Sequence, residues 1–168
     1  MPPSKEHLAQ SHALHEFAAE LRGKFLNGSA WIETLLGDIL ATYFCRDSER
    51  RGLFFSEVAN DMRLSSKATL LDKILQREFP QLLKAYPRLK KRLGSLRGFR
   101  NRLAHAHIDT SEHALATRKS DEVTFIFYED GQMKRQQVTR DEAQRRANEA
   151  NQLRKDLVEV QRVIAESA

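Results

Sequence analysis

The chain has little of several residue types whose presence would define a class of protein. Its 168 residues include one cysteine, Cys45, so no disulfide framework can form within it. No run approaches the roughly 20 apolar residues of a membrane-spanning helix, and the first residues lead into a mixed segment instead of the apolar core of a secretory signal. These absences predict a cytoplasmic protein without a membrane segment.

Signatures of nucleotide hydrolysis and of structural metal sites are also missing. The sequence has no Gly-x-x-x-x-Gly-Lys loop, no Gly-x-Gly-x-x-Gly after a strand, no His-Glu-x-x-His and no cysteine pair. The six histidines fall into two groups. Those within residues 7–15 are expected to lie exposed at a helix end, and those within residues 105–113 have no carboxylate or cysteine at convincing ligand spacing. We therefore expect neither a metal site nor a cofactor.

What is present suits one globular domain spanning residues 1–168. Hydrophobic residues make up 40% of the chain and charged residues 30%, which is enough apolar material for a sizeable core. The net charge is +5, but residues 79–108 contain no acid and carry +8, so the remainder carries −3. Such a focused basic stretch indicates an anionic partner. The alternative is a solvated helix face that acidic residues compensate in space.

Helical periodicity predicts most of the first half of the chain. Apolar residues at three- and four-residue spacing predict a helix over residues 14–25, which Asn27-Gly28 is expected to end, and a core helix over residues 32–44. A polar connection follows at 46–52, and then a short helix through residues 55–62. Ser65-Ser66 is a plausible N-cap for the next helix, which should stop near Pro80.

The basic stretch contains a four-three-four-three-four spacing that is typical of a helix packed against another. This spacing puts Arg100 where a leucine is expected, either at a bundle edge or in a seam where a carboxylate, an anion or a second subunit meets it. Gly94 and Gly98 predict a close helix approach or a local irregularity. The positions of the repeat are Leu89, Leu93, Leu96, Arg100, Leu103 and His107.

A change of period marks the last third of the chain. Alternating residues predict strands near 122–128 and 133–138, joined at Asp130-Gly131, and Thr139 with Glu142 forms a capping box for a C-terminal helix over about 139–166. The predicted fold is all-α, a helical bundle with a β-hairpin (about 122–138) inserted before the long last helix. The aromatic residues of the hairpin, at 125, 127 and 128, and Trp31 are assigned to core or interface positions in preference to a ligand site.

The run Arg-Asn-Arg-Leu-Ala-His at residues 100–105 resembles the Arg-x-x-x-x-His signature of the HEPN superfamily (higher eukaryotes and prokaryotes nucleotide-binding domain). Upstream residues 64–75 and 96–99 also look like the helices that precede this motif in bacterial members. The likeness covers roughly residues 28–110 and, more weakly, the hairpin and the last helix. It implies an HEPN-like bundle.

Many HEPN proteins are metal-independent endoribonucleases, often toxins or phage-defence effectors, that dimerise and assemble the active site from both copies of the motif. The resemblance implies that His105 moves a proton of the ribose 2′-hydroxyl or of the leaving oxygen, and that Arg100 holds the scissile phosphate. Asn101 would orient the imidazole or contact the phosphate. The residues expected to bind substrate are Arg102, Arg97, Lys90, Lys91, Arg92 and His107.

Two features leave alternatives open. Residues five apart on a straight helix differ by about 140°, so Arg100 and His105 converge only through the reach of the arginine, a helix irregularity or a second subunit. The tyrosine that an antitoxin partner modifies in one HEPN subgroup is replaced by His107, which either assists the proton chemistry or caps a helix end.

The partners expected are RNA, a second copy of the chain and an antitoxin or defence component. The other function considered is a non-catalytic nucleic-acid- or nucleotide-binding regulator, or a dimerisation module, with the same fold.

Overall fold

The computed structural model describes residues 5–117 and 119–167, and helices make up most of this part of the chain. Three short strands form an antiparallel sheet beside the helices. The elements in chain order are α1 (Lys5–Phe44), α2 (Ser48–Phe54), a π-helical segment (Phe55–Ala59), α3 (Leu64–Glu78), α4 (Pro80–Ala85), α5 (Leu89–His105), β1 (His107–Ile108), α6 (Glu112–Thr117), β2 (Glu122–Glu129), β3 (Gln132–Thr139) and α7 (Arg140–Ser167).

The first helix is longer than the sequence predicts. It continues for 40 residues through Asn27 and Gly28, so the predicted break at that pair is wrong. A glycine costs a helix only about 1 kcal/mol relative to alanine. Buried apolar residues lie on each side of the pair, at Phe25 and Ile32, and their burial outweighs this local preference.

The connection predicted at residues 46–52 is also helical for most of its length. Asp47 precedes α2, and its Oδ1 accepts a hydrogen bond from the Arg50 N–H at 2.9 Å. Asp47 is therefore the N-cap of α2. The sequence did not predict it, because the charged residues around it are typical of a polar connection. The π-helical segment that follows packs closely on α1, because a Cβ at Gly37 would lie 3.1 Å from the ring of Phe55.

The start of α3 differs from the prediction, while its end does not. The helix begins at Leu64, with Arg63 as an N-cap that makes no side-chain hydrogen bond, so Ser65-Ser66 lies inside the first turn. The helix ends at Glu78, which confirms the predicted stop near Pro80. Pro80 then begins α4 at a position where its missing N–H costs nothing.

The sheet confirms the hairpin and adds a strand to it. β2 pairs with β3 in register from Glu122↔Thr139 to Glu129↔Gln132. The turn between them has positive φ at Asp130 (53°) and Gly131 (73°), as an Asp-Gly hairpin turn requires. β1 pairs with the other edge of β2, His107 opposite Ile126. The four-three spacing of the preceding helix therefore does not extend to His107, which is a strand residue and caps no helix.

The final helix agrees with its prediction. The Thr139 Oγ1 accepts a hydrogen bond from the Glu142 N–H at 3.1 Å, which satisfies one of the free donors at the start of α7. The apolar stripe of this helix is buried in its C-terminal two thirds. Its buried residues are Ala150, Leu153, Leu157, Val160 and Ile164.

The described residues form two compact units. The first unit comprises the residues up to Asn27 together with Phe99–Asn148, and the second comprises Gly28–Gly98 and the residues from Glu149 onward. α1, α5 and α7 each contribute residues to both units. A single domain over the whole chain stays a prediction. None of the helices in residues 5–117 and 119–167 combines the length and apolar character needed to cross a bilayer.

Burial corrects the assignment of Tyr128 to the core and narrows that of Trp31. Phe125 and Phe127 are buried as expected, but Tyr128 is 72% exposed on the opposite face of β2. Trp31 is 68% exposed, so of its two predicted positions, core or interface, only the interface stays a prediction. Gly94 permits no close helix approach, because a Cβ there would meet nothing within 4 Å.

Candidate functional site

The motif residues form the C-terminal end of α5, which ends at His105. Asn101 and His105 are four residues apart on this helix, so their side chains lie on the same side of it. Both residues are exposed. Within residues 5–117 and 119–167, the His105 side chain makes no hydrogen bond or ion pair, so its ring is open to a ligand.

Arg100 lies beside Asn101, at the edge of the core of the first unit. Its side chain is half-buried, and its Nη1 donates to Asn101 Oδ1 at 3.2 Å. Phe99 occupies the buried position instead and packs edge-on against Phe25, with ring centroids 4.7 Å apart. The edge interpretation of Arg100 is therefore the one that fits this chain taken alone. The structure brings Arg100 and Asn101 together, and it forms no hydrogen bond between Arg100 and His105.

Arg102 is turned toward the sheet. Its Nε donates to Gln136 Oε1 at 3.0 Å, and its guanidinium lies 6.0 Å from the centroid of the Phe127 ring. The guanidinium contributes to the lowered pKa of Glu129, after the larger effect of Lys134. Arg102 is thus held by protein groups through Nε, and only its terminal nitrogens remain for a phosphate.

Arg22 is a positioning residue that sequence reasoning missed. Its Nη2 donates to the carbonyl of Ala106, the residue that directly follows His105, and its guanidinium lies 4.9 Å from the Phe125 ring centroid. Burial lowers the pKa of this arginine, and its buried Nε has no hydrogen-bond partner. The available signal was its place in the apolar stripe of α1, four residues after Ala18.

His107 lies on the face of the sheet opposite to the buried Phe125 and Phe127. It is paired with Ile126, which is paired in turn with Arg135, so these three side chains share one face. His107 is exposed. It is placed on β1, beyond the end of the helix that carries His105 and Asn101.

An ion pair between the buried Asp109 and the exposed Arg135 lies on the same face of the sheet. The Arg135 Nε is 3.1 Å from Asp109 Oδ2, and the Ser111 N–H donates to Asp109 Oδ1 at 3.1 Å. Burial alone raises the pKa of Asp109, but the Ser111 hydrogen bonds and the Arg135 charge outweigh it, so the pKa lies below its ordinary value. This arrangement anchors the segment that follows β1.

The other four basic residues predicted to bind phosphates belong to the second unit. Two of them pair with carboxylates: Lys90 Nζ lies 2.6 Å from Asp72 Oδ2, and Arg92 Nη1 hydrogen-bonds Asp156 Oδ2. At these two positions acidic residues do compensate the basic stretch. Lys91 and Arg97 are exposed, and neither makes an ion pair within the described parts of the chain.

The described residues contain no group of three or more His, Cys, Asp or Glu side chains placed to hold a metal ion. Comparison of the chain with protein-family models, with curated proteins and with solved structures finds no match. The proposed function therefore depends on the motif in α5 and on its geometry.

Proposed function

We propose that the chain is a metal-independent endoribonuclease of HEPN type that cleaves RNA through attack of the ribose 2′-hydroxyl. The observation that supports this proposal most directly is the exposure of Asn101 and His105 on one side of α5, with Arg100 hydrogen-bonded to Asn101. These are the residues of the motif that resembles the HEPN signature. An imidazole, an amide and a guanidinium together supply a proton acceptor and phosphate ligands.

The proposed reaction needs no group beyond RNA and these side chains. His105 takes the proton of the 2′-hydroxyl, and the 2′-oxygen forms a bond to the adjacent phosphorus. The bond from phosphorus to the 5′-oxygen of the next nucleotide breaks, and that oxygen receives the proton that His105 accepted, so the imidazole ends the reaction neutral. The products are a 2′,3′-cyclic phosphate and a 5′-hydroxyl. Arg100 stabilises the charge that develops on the phosphoryl oxygens.

A second copy of the chain completes the proposed site. Arg100 and His105 form no hydrogen bond with each other within one chain, and a dimer that brings two motifs together supplies their convergence. As the resemblance implies, the proposed setting is a cytoplasmic toxin or phage-defence effector with an antitoxin or defence component as partner. Membership of the HEPN superfamily is part of this proposal.

A non-catalytic RNA-binding regulator is the second candidate. The observation in its favour is that His105 has no hydrogen-bond partner in the described parts of the chain to fix its ring orientation and tautomer, which general-base catalysts commonly have. A regulator binds RNA through the same arginines and does not need that orientation.

Cleavage of a single-stranded RNA by the purified protein in excess EDTA tests the proposal. We expect cleavage of RNA and none of a fully 2′-deoxy substrate. His105→Ala should lower the rate by about 10²- to 10⁴-fold, and Arg100→Ala by about 10²- to 10³-fold. His113→Ala removes an exposed histidine of α6 and serves as the matched control with an unchanged rate.

Equal cleavage by the wild type and both site variants would reject the assigned residues. Cleavage of the 2′-deoxy substrate would reject the mechanism. Tight RNA binding without cleavage, retained in His105→Ala, would favour the regulator.

A further inference from the structure

Helices α3 and α5 border a pocket of about 300 Å³ in the second unit. This volume is at the lower end of the range for small-molecule sites. Apolar side chains from both helices line it, among them the buried Leu64 and Leu93. A flat ring fits such a surface, and the remaining lining residues are polar or lack a side chain.

Two cations line the pocket from α5. Lys90 and Arg97 are seven residues apart, which puts them on one side of the helix with about 10.5 Å between their positions along its axis. The Lys90 amino group is held by Asp72 at 2.6 Å. Arg97 is exposed and makes no hydrogen bond or ion pair with the rest of the described chain. Arg97 therefore offers an uncompensated charge, and Lys90 offers the N–H donors that Asp72 does not take, so the two match a ligand with anionic oxygens at two separated points.

The space between the two cations is open because residue 94 has no side chain. Gly94 is four residues after Lys90 and three before Arg97, so it lies on the same side of α5. A Cβ at this position would meet nothing within 4 Å. A glycine at this position destabilises the helix by about 1 kcal/mol relative to alanine. The missing side chain leaves the pocket accessible.

Two hydroxyl groups line the pocket from α3. Ser65 and Thr69 are four residues apart, one turn along the same side of the helix. Each hydroxyl both donates and accepts a hydrogen bond. A base edge or a ribose offers the complementary donors and acceptors, while a purely aliphatic ligand would leave these groups unmatched.

We propose that this pocket binds one nucleoside of a single-stranded RNA, with Lys90 and Arg97 holding the phosphates on its two sides. An RNA strand carries phosphate oxygens on both sides of each nucleoside, whereas a mononucleotide with one phosphate leaves either Arg97 or the remaining Lys90 donors unmatched. The inference rests on the proposed function in one respect, namely that the ligand is RNA. It does not require that the chain cleaves it.

Binding of a fluorescently labelled single-stranded RNA to the full chain, followed by anisotropy, tests the proposal. All variants carry His105→Ala so that cleavage does not interfere. Gly94→Leu fills the pocket while keeping every charge, and we expect it to weaken binding about tenfold. Gly94→Ala is its matched control, because the added methyl group has room, and it should bind as the parent does.

Arg97→Ala tests the charge separately from the shape. It should weaken binding and reduce the slope of log affinity against log salt by about 1, whereas Gly94→Leu should leave that slope unchanged. Arg154→Ala removes an exposed arginine of α7 that lies outside the pocket and should leave both quantities unchanged. Thermal unfolding of each variant checks that it is folded.

The outcomes separate this inference from the proposed function. Equal RNA affinity of Gly94→Leu and Gly94→Ala would overturn the inference, even if the wild type cleaves RNA with a requirement for His105. Pocket-dependent binding without cleavage by the wild type would sustain the inference and reject the nuclease. If adenosine monophosphate or an acidic peptide displaces the labelled RNA as strongly as unlabelled RNA does, that compound and not RNA is the ligand of the pocket. No RNA binding at all would reject both.

Discussion

The two units bury their apolar surface with different side chains. In the first unit four arginines lie over aromatic rings at 4.9–6.0 Å, whereas the described residues of the second unit contain no such contact and pack mostly aliphatic side chains. Ion pairs with carboxylates occur in both units, as between Lys134 and Glu129 in the first and between Lys90 and Asp72 in the second. The arginine–ring pairs are Arg22–Phe125, Arg102–Phe127, Arg140–Phe17 and Arg146–Phe99.

This difference shows how arginine can serve both packing and positioning. In the first unit Arg22 covers Phe125 and also hydrogen-bonds the Ala106 carbonyl, while Arg102 covers Phe127 and also hydrogen-bonds Gln136. Arg22 thereby holds the segment that follows the candidate catalytic histidine, and Arg102 links α5 to β3. Aliphatic side chains bury area equally well but cannot hold a backbone carbonyl.

The largest expected effect comes from the aliphatic core of the second unit. Leu157 is 0% exposed in α7, so Leu157→Ala leaves a cavity and should lower the free energy of unfolding by about 2–5 kcal/mol. Urea unfolding measures this change. Val158→Ala, at a neighbouring position that is 51% exposed, should change stability by less than about 0.5 kcal/mol. Equal losses in the two variants would contradict the burial assigned to α7.

The half-buried Arg22 and the buried Lys67 form a matched pair that tests the positioning role. Arg22 donates to the Ala106 carbonyl, and Lys67 in the second unit donates to the Glu33 carbonyl at 3.2 Å. Burial lowers the pKa of both groups, opposed at Lys67 by Glu33. Arg22→Met should cost about 1–3 kcal/mol. Lys67→Met should cost less than about 1 kcal/mol, since the Glu33 carbonyl lies within α1 and has a helical donor.

Urea unfolding of the two methionine variants gives this comparison directly. Arg22→Lys keeps a donor and should recover part of the loss. If Arg22→Met and Lys67→Met are equally stable, the hydrogen bond to Ala106 does not hold the segment after His105.

The smallest expected effect is the loss of stability at acidic pH that comes from Asp109, a buried carboxylate of the first unit. The folded pKa of Asp109 lies below its ordinary value, so the unfolded chain binds a proton at a higher pH than the folded chain. Asp109 therefore contributes stability above about pH 4, and this contribution is lost as the pH falls through its folded pKa. Asp109→Asn should show a weaker fall in stability on acidification.

Unfolding free energies measured at intervals from about pH 6 to pH 3 check this dependence. Ser111→Ala removes one of the hydrogen bonds that lower the pKa and should give an intermediate slope. An acid slope that is the same in wild type and Asp109→Asn would show that Asp109 contributes no pH-dependent stability.

The sequence predicted elements whose signals are local. The hairpin and the last helix lie within two residues of their predicted bounds, because strand alternation, the Asp130-Gly131 turn and the Thr139 cap all act over a few neighbouring residues. The prediction that Asn101 and His105 share a side of one helix follows from the same kind of local spacing.

The predictions that were wrong depended on distant contacts. α1 continues past Gly28 because the burial of Phe25 and Ile32 stabilises the helix on both sides of it. β1 has only two residues, too few for a visible alternation, and exists because β2 supplies its hydrogen bonds. Tyr128 alternates correctly with Phe127 but faces outward at the end of a strand, where burial depends on what covers the sheet.

The amino-acid sequence by itself determined the helical content, the hairpin and the acid-free basic stretch with its motif at residues 100–105. Tertiary structure decided which of those charges stay available. Lys90 pairs with Asp72, 18 residues away, and Arg92 with Asp156, 64 residues away. Outside that stretch, Arg22 donates to the Ala106 carbonyl, 84 residues away. Periodicity reports which side of an element a residue is on, but the partner it meets there depends on the packing of elements far apart in the chain.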